Sequence, residues 1–350
     1  MSKGTVLITG INGYIAGTTA LAFLKAGYSV RGTARSLPSA GPLLSALSEY
    51  SDRLSVVQVP DITAPDAFDK AVRGVSFIAH LASPIAAAFT DVAEVMTAAV
   101  SGSLRVLESA AKEPGVRHLV FMSSLAAVRG SDGYEPGRVY TYTEKDWNVT
   151  SEAEVERVGA QAGFPVYEAS KTAAERAVWK WKEENKPTFS INAVNPIFVA
   201  GPPLVIPTSA DAIPNTITSI WAIFAGAPLK ESALSHLLPG MLDSYVDVRD
   251  VARMIVWGVE HPEEADGERY ILASCYGPSQ SMADILREKY PDRAGIIQKG
   301  QPGEGYVLGY GFPEDGESYD SGKARRATGQ DWIPWEKTVV DTAESLKGLL

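Results

Sequence analysis

Tyr167 and Lys171 stand four residues apart in "YEASK", and Ser124 closes the apolar run "HLVFMSS". On a helix that spacing puts the two side chains on one face, where both can reach one point. A phenol with its ordinary pKa of about 10 exchanges protons poorly near neutrality unless a cation stabilises the phenolate. The Lys171 ammonium is such a cation. A serine hydroxyl closing a parallel strand can hydrogen-bond a carbonyl oxygen, and parallel sheets place their sites at that end of the strands. Together the three residue types suit protonation of a carbonyl oxygen. Tyr-Lys pairs at this spacing also recur by chance on helix surfaces, so the weight rests on the elements around them.

The first of those elements is "VLITGINGYIAG", residues Val6 to Gly17, where a buried-type strand turns into a helix. Such a turn presents free backbone N–H groups and the positive helix end, which suits a pyrophosphate. Gly10 allows the tight turn, Gly13 the approach of phosphates, and Ala16 or Gly17 the packing of helix on strand. Charge then selects the dinucleotide. A site for NAD usually holds an acid about 20 residues beyond the first glycine, yet no Asp or Glu precedes Glu49. Arg35 in "RGTARS" offers a charge-assisted contact to a 2′-phosphate instead, which predicts NADPH or NADP. Asp61 in "VPDIT" suits either the adenine amino group or the cap of a helix beginning near Ala64.

Apolar runs alternating with helical patterns from Thr5 to Ser124 predict βαβ winding: an α/β fold of Rossmann type, a doubly wound parallel sheet with helices on both faces. Residues 129–165 are polar and turn-rich, with one short helix predicted around Glu152 to Gln161. The proline-dense span after Asn195 breaks the regular winding. Residues 1–195 are therefore read as a dinucleotide-binding domain carrying the Ser-Tyr-Lys set. Residues 196–350 are read as a smaller, intertwined substrate-binding lobe with some segments returning to the sheet. Helices are predicted there over Asp211 to Gly226, Val251 to Glu260 and Ser281 to Tyr290.

Composition narrows the function classes. The 350 residues are 45% hydrophobic, and no run approaches the roughly 20 apolar residues of a membrane span. The net charge of −10 disfavours a nucleic-acid surface. One cysteine, Cys275, and no signal-peptide pattern point to the cytoplasm. The histidines at 80, 118, 236 and 261 lack metal-ligand spacing, so no metal is expected. Ser123 suits a strand-end hydrogen bond or a cofactor contact equally, Trp179 and Trp181 suit packing, and Asp247 suits a local structural bond.

The motifs "TGINGYIAG", "RGTARS", "PDIT", "HLASP", "FMSSLAAV", "YEASK", "VNPIFVAGP" and "YVDVRDVA" extend over nearly the whole chain. Together they resemble the extended short-chain dehydrogenase/reductases, most closely the branch of dihydroflavonol reductases, cinnamoyl-CoA reductases and fungal or yeast carbonyl and methylglyoxal reductases. The resemblance implies Ser124, Tyr167 and Lys171 as catalytic residues, with Lys171 also on the nicotinamide ribose. It implies cofactor contacts from Gly10, Asn12, Gly13, Tyr14 and Ile15, from Arg35 at the 2′-phosphate, and from Asp61 and Ile62. Leu81, Ala82 and Ser83 would line the cofactor, and Pro196, Phe198 and Val199 its nicotinamide side. Two departures stand out: no second basic residue follows Arg35 before Glu49, and the "NWYCY" signature of cinnamoyl-CoA reductases is absent. The implied reaction is NADPH-dependent reduction of a small, largely apolar aldehyde or ketone by a monomer or homodimer.

Two other classes use overlapping parts. An NAD-dependent sugar-nucleotide epimerase or dehydratase shares the Ser-Tyr-Lys set but needs cations for a diphosphate. From Pro196 to Asp247 only Lys230 and His236 qualify, and the polar loop adds Arg129, Arg138, Lys145 and Arg157. A non-catalytic dinucleotide sensor would have no use for the three residues together.

Overall fold

Short runs of Val, Ile, Leu and Phe form the central strands: β1 (Thr5–Ile8), β2 (Ser29–Ala34), β3 (Leu54–Gln58), β4 (Phe77–His80), β5 (His118–Met122), β6 (Ser190–Pro196) and β7 (Arg269–Leu272). The structure, a computed structural model, describes residues 2–83, 91–130, 138–229 and 243–350. Among these, the seven strands lie in the order β3-β2-β1-β4-β5-β6-β7, all parallel. The order reverses between β1 and β4, which opens a crevice at their carboxyl ends where such sheets bind ligands.

Successive residues of each strand face opposite sides. Val6 and Ile8 pack with the helix Tyr14–Lys25 and with Val251, Met254 and Ile255 of the helix Val248–Glu260. Leu7, Ile78, Leu119 and Phe121 face the other way, toward the helices Val92–Ala111 and Phe164–Asn185. Both faces are covered, which is why β4 and β5 are buried along their whole length and read as unbroken apolar runs.

β7 and the helix Val248–Glu260 lie beyond residue 195 in the chain, yet both build the large sheet and its covering layer. A three-stranded sheet forms next to it: Ser244–Asp247 pairs parallel with Phe198–Ala200 and antiparallel with Cys275–Tyr276. Tyr140–Tyr142 pairs in parallel with Glu317–Tyr319, tying the polar loop to the C-terminal region.

Two predicted elements differ. The helix predicted over Asp211 to Gly226 is an α-helix only over Thr218–Phe224, preceded by single 3-10 turns. Pro214 is the reason: it drives Ile213 to an extended conformation (ψ 131°) and so breaks the helix. No helix begins near Ala64. Thr63 instead donates its backbone N–H and its hydroxyl to Asp61 Oδ1 (2.8 and 2.7 Å), closing an Asx turn. In the polar loop a helix occupies Ser151–Val158, followed by a 3-10 turn to Ala162. The other two predicted helices run Val248–Glu260 and Ser279–Lys289. Lys230 and His236 lie outside the described residues.

Candidate active site

Strand register determines what meets at the crevice. Ile8 lies beside Ala79, His80 beside Phe121, and Met122 beside Val194. Residues just beyond these pairs therefore converge: Thr9 and Gly10, Leu81 to Ser83, Ser123 and Ser124, Asn195 and Pro196.

At the β1 end, Gly10 adopts φ +66°, and an added Cβ would lie 3.2 Å from Ala82. A Cβ on Gly13 would lie 3.2 Å from the Gly10 carbonyl oxygen. Gly13 precedes the helix Tyr14–Lys25 and offers no side-chain cap, so the first-turn N–H groups stay open to a ligand. This backbone cradle fits a dinucleotide pyrophosphate. Asn12 is exposed beside it, while Ile15 packs against the core. Tyr14 donates to Gly201 O (2.7 Å), joining the turn to the loop after Val199. Ala16 is in the core as expected, but a Cβ on Gly17 would meet Leu43 (3.2 Å), a side chain rather than the sheet. At the end of β2, Arg35 is exposed, and its guanidinium has no protein partner among the described residues. Asp61 is exposed in its Asx turn, and Ile62 packs under Gly102 of the helix Val92–Ala111.

Thr9 organises the β4 end. Its Oγ1 accepts from Leu81 N and Ala82 N (2.9 Å each), so its one proton is given to His80 Nδ1 (3.0 Å). Burial pushes His80 down to about 3, so the ring is neutral, with its proton on Nε2. Its neighbours Phe68 and Phe121 complete an apolar seat. The other described histidines are structural: His118 bonds Ser190 and Asn192, and His261 stacks on Trp257. His236 lies outside the described residues.

The helix Phe164–Asn185 opens with Pro165, suited to the first turn, and carries Tyr167 and Lys171 on one face. Lys171 Nζ lies 5.7 Å from the Tyr167 ring centre and donates to Ser83 Oγ (3.0 Å). Among the described residues it forms no ion pair. Burial lowers its pKa to about 8, against the opposing pull of the Glu175 carboxylate. Burial raises the Tyr167 phenol, and the hydrogen bond with Ser124 works against that rise. Ser124 Oγ accepts from Ala126 N (3.2 Å), which leaves its own proton to donate to the Tyr167 oxygen. Pro196 and Val199 are buried at the far wall, and Phe198 is half-buried against Tyr245.

Ser123 takes the structural alternative: it donates to Glu175 Oε2 (2.5 Å). Trp179 also donates to Glu175, Trp181 stacks on Phe189, and Asp247 caps the helix Val248–Glu260. The residues missed from sequence are Thr9, Gly32, Glu175, Asn195 and Arg269. Gly32 had a signal, since a glycine inside a strand marks a close approach; here a Cβ would collide with Ile11. Glu175 continues the Tyr167, Lys171 spacing by four more residues, a signal that was also present.

Residues 6–273 match the NAD dependent epimerase/dehydratase family. A ketoreductase of Aspergillus fumigatus is 31% identical, over 98% of this chain and 98% of its own. The NADPH-dependent methylglyoxal reductase GRE2 of Saccharomyces cerevisiae is 30% identical, over 98% of each chain. Among solved structures, that of Gre2 in complex with NADPH from Candida albicans superposes with a TM-score of 0.83 at 29% identity, covering 99% of both chains.

Proposed function

The chain belongs to the NAD dependent epimerase/dehydratase family, and we propose that it is an NADPH-dependent reductase of neutral, largely apolar aldehydes or ketones. One observation carries the reading: a buried, unpaired-by-carboxylate Lys171 beside Tyr167, with Ser124 facing the same crevice at the reversal of strand order. When bound, NADPH supplies the hydride. Tyr167 protonates the carbonyl oxygen, Lys171 stabilises the resulting phenolate, and Ser124 holds the oxygen by hydrogen bond. The Gly10–Gly13 backbone holds the pyrophosphate, and exposed Arg35 holds the 2′-phosphate.

Charge supports a neutral substrate over a nucleotide sugar. Residues 196–229 contain no cation. In the polar loop, Arg129 is buried against Glu317 (2.7 Å) and Arg157 pairs with Glu154 at the surface (2.7 Å), whereas Arg138 and Lys145 form no ion pair among the described residues, so the charge argument rests on the cation-free span 196–229. The apolar segment "ITSIWAIFAG" contributes less to a pocket than its composition suggests, because Ile217, Ile220, Ile223 and Phe224 are spent on core packing. Half-buried Phe198 and Trp221 remain as apolar surface. No helix among the described residues is long and apolar enough to cross a membrane, and we place the enzyme in the cytoplasm as a monomer or homodimer.

NADPH consumption measured with a series of neutral ketones and aldehydes, beside nucleotide sugars with NADPH or NAD⁺, tests the reading. kcat/KM should rise as apolar groups are added, each Å² buried contributing about 25 cal/mol. Turnover of a nucleotide sugar with none of any simple carbonyl compound would replace it with the epimerase or dehydratase reading.

A further inference from the structure

Behind the crevice lies a buried charge that carbonyl reduction as described does not use. Glu175 follows Lys171 by one more helical turn on the same face and is wholly buried. Its Oε2 accepts from Ser123 Oγ (2.5 Å), Asn195 Nδ2 (2.8 Å) and Arg269 Nη2 (3.3 Å). Its Oε1 accepts from Arg269 Nε (2.6 Å) and Trp179 Nε1 (3.2 Å). A carboxylate has about four lone-pair sites, and here they meet five donors. Only an ionised carboxylate satisfies this set.

The donors come from different elements, and each continues toward the site. Asn195 also donates through Nδ2 to Ser124 O (3.1 Å). Its amide cannot be turned over, because Oδ1 would then face the carboxylate. Arg269, on β7, also donates to the carbonyls of Glu144, Asp146 and Ala127. Glu175 thus joins the catalytic helix to the ends of β5, β6 and β7 and to the turn after Ser124.

We propose that Glu175 is a positioning residue for the reaction. By its hydrogen bonds it sets the direction of Ser124 relative to Tyr167, and by its charge it keeps Lys171 protonated. The charged or titratable groups around Lys171 are Tyr167, Glu168 and Glu175 on its own helix, neutral His80 at the end of β4, and Arg269 on β7 behind Glu175. Glu168 is bonded by Ser151 and acts on Tyr167, whereas Glu175 is the carboxylate whose charge acts on Lys171. Without its charge, the ammonium is opposed by burial alone and loses its proton at lower pH.

The inference rests on the proposed roles of Ser124, Tyr167 and Lys171, so Glu175→Gln is measured beside Tyr167→Phe. In Glu175→Gln, kcat for carbonyl reduction should fall about tenfold or more while KM for NADPH stays within about twofold, as loss of alignment dictates. The alkaline limb of its reductive rate should also move to lower pH. A purely structural role would lower the melting temperature and leave that limb in place. Wild-type kcat and an unmoved limb, with Tyr167→Phe inactive, overturn the proposal; wild-type kcat in Tyr167→Phe overturns the site reading beneath it. Should Glu175→Gln fail to fold, Ser123→Ala removes one donor only. A kcat lowered severalfold at unchanged NADPH KM then supports the proposal, and wild-type kcat overturns it.

Discussion

At the Gly10–Gly13 turn, the groups proposed to hold the cofactor are backbone atoms within a few residues of one another, whereas at the Asp247 corner the same crevice is held by side chains from distant parts of the chain. Asp247 Oδ1 accepts from Arg249 N and Nε (2.8 Å each), and Oδ2 from Arg249 Nη2 (2.7 Å) and Thr338 Oγ1 (2.8 Å). Arg249 bonds Asp341 in turn (2.5 Å), so the C-terminal helix Trp335–Leu346 is fastened to the second sheet. Tyr14, reaching Gly201, is the link between the two corners. The first region depends on what side chains leave out and the second on charges that must be paired. They should fail differently when altered.

The largest effect belongs to neither corner but to the chemistry between them. Lys171→Met keeps the volume and removes the cation, so kcat should fall about 10³-fold, the scale of a lost proton-transfer partner. Steady-state NADPH consumption measures it. At the Asp247 corner, Asp247→Asn removes the buried charge, while partly exposed Arg249 keeps its pair with Asp341. Urea unfolding should show a loss of about 2 kcal/mol, the worth of hydrogen bonds to a charged group. A small loss would mean that the Asp341 pair alone holds the C-terminal helix.

At the glycine corner, Gly32→Ala should destabilise by about 2 kcal/mol through overpacking against Ile11, and it should weaken NADPH binding because Ile11 lies inside the turn. A stable variant with wild-type affinity would show that the turn tolerates displacement. Arg35→Ala should raise KM for NADPH about tenfold while leaving that for NADH nearly unchanged, since only NADPH carries the extra phosphate. Equal loss with both would remove Arg35 from the phosphate site. The remaining effect is graded, in pH. Burial depresses Lys171 to about 8, so its ammonium is present below that pH and lost above it. The reductive rate should decline as pH rises through about 8, and a flat profile to pH 10 would detach Lys171 from Tyr167.

The contrast also explains what was legible in the sequence. The winding from β1 to β5, the glycine turn and the Tyr167–Lys171 face are short-range patterns of periodicity and spacing, and the structure has them at those positions. β7 was foreseen only as an unnamed returning segment, because nothing local in "RYIL" says which sheet edge it joins. The helix predicted from Asp211 failed at Pro214, where the pattern of apolar residues outweighed the proline in the reading. The cap that Asp61 suits, beside an adenine contact, is an Asx turn here, and no local sign separates an Asx turn from a helix start. Thr9 and Arg269 act through partners 71 to 142 residues away, and no spacing rule reaches that far.

The most direct measurement is a single turnover of NADPH-loaded protein with a small apolar ketone, followed by NADPH absorbance, for wild type and Tyr167→Phe after fluorescence titration of the cofactor. Both proteins should bind NADPH with nearly equal affinity. Wild type should consume it in step with alcohol formation, and Tyr167→Phe should retain it, about 10³-fold slower or worse. Decay at the wild-type rate in Tyr167→Phe would contradict the account.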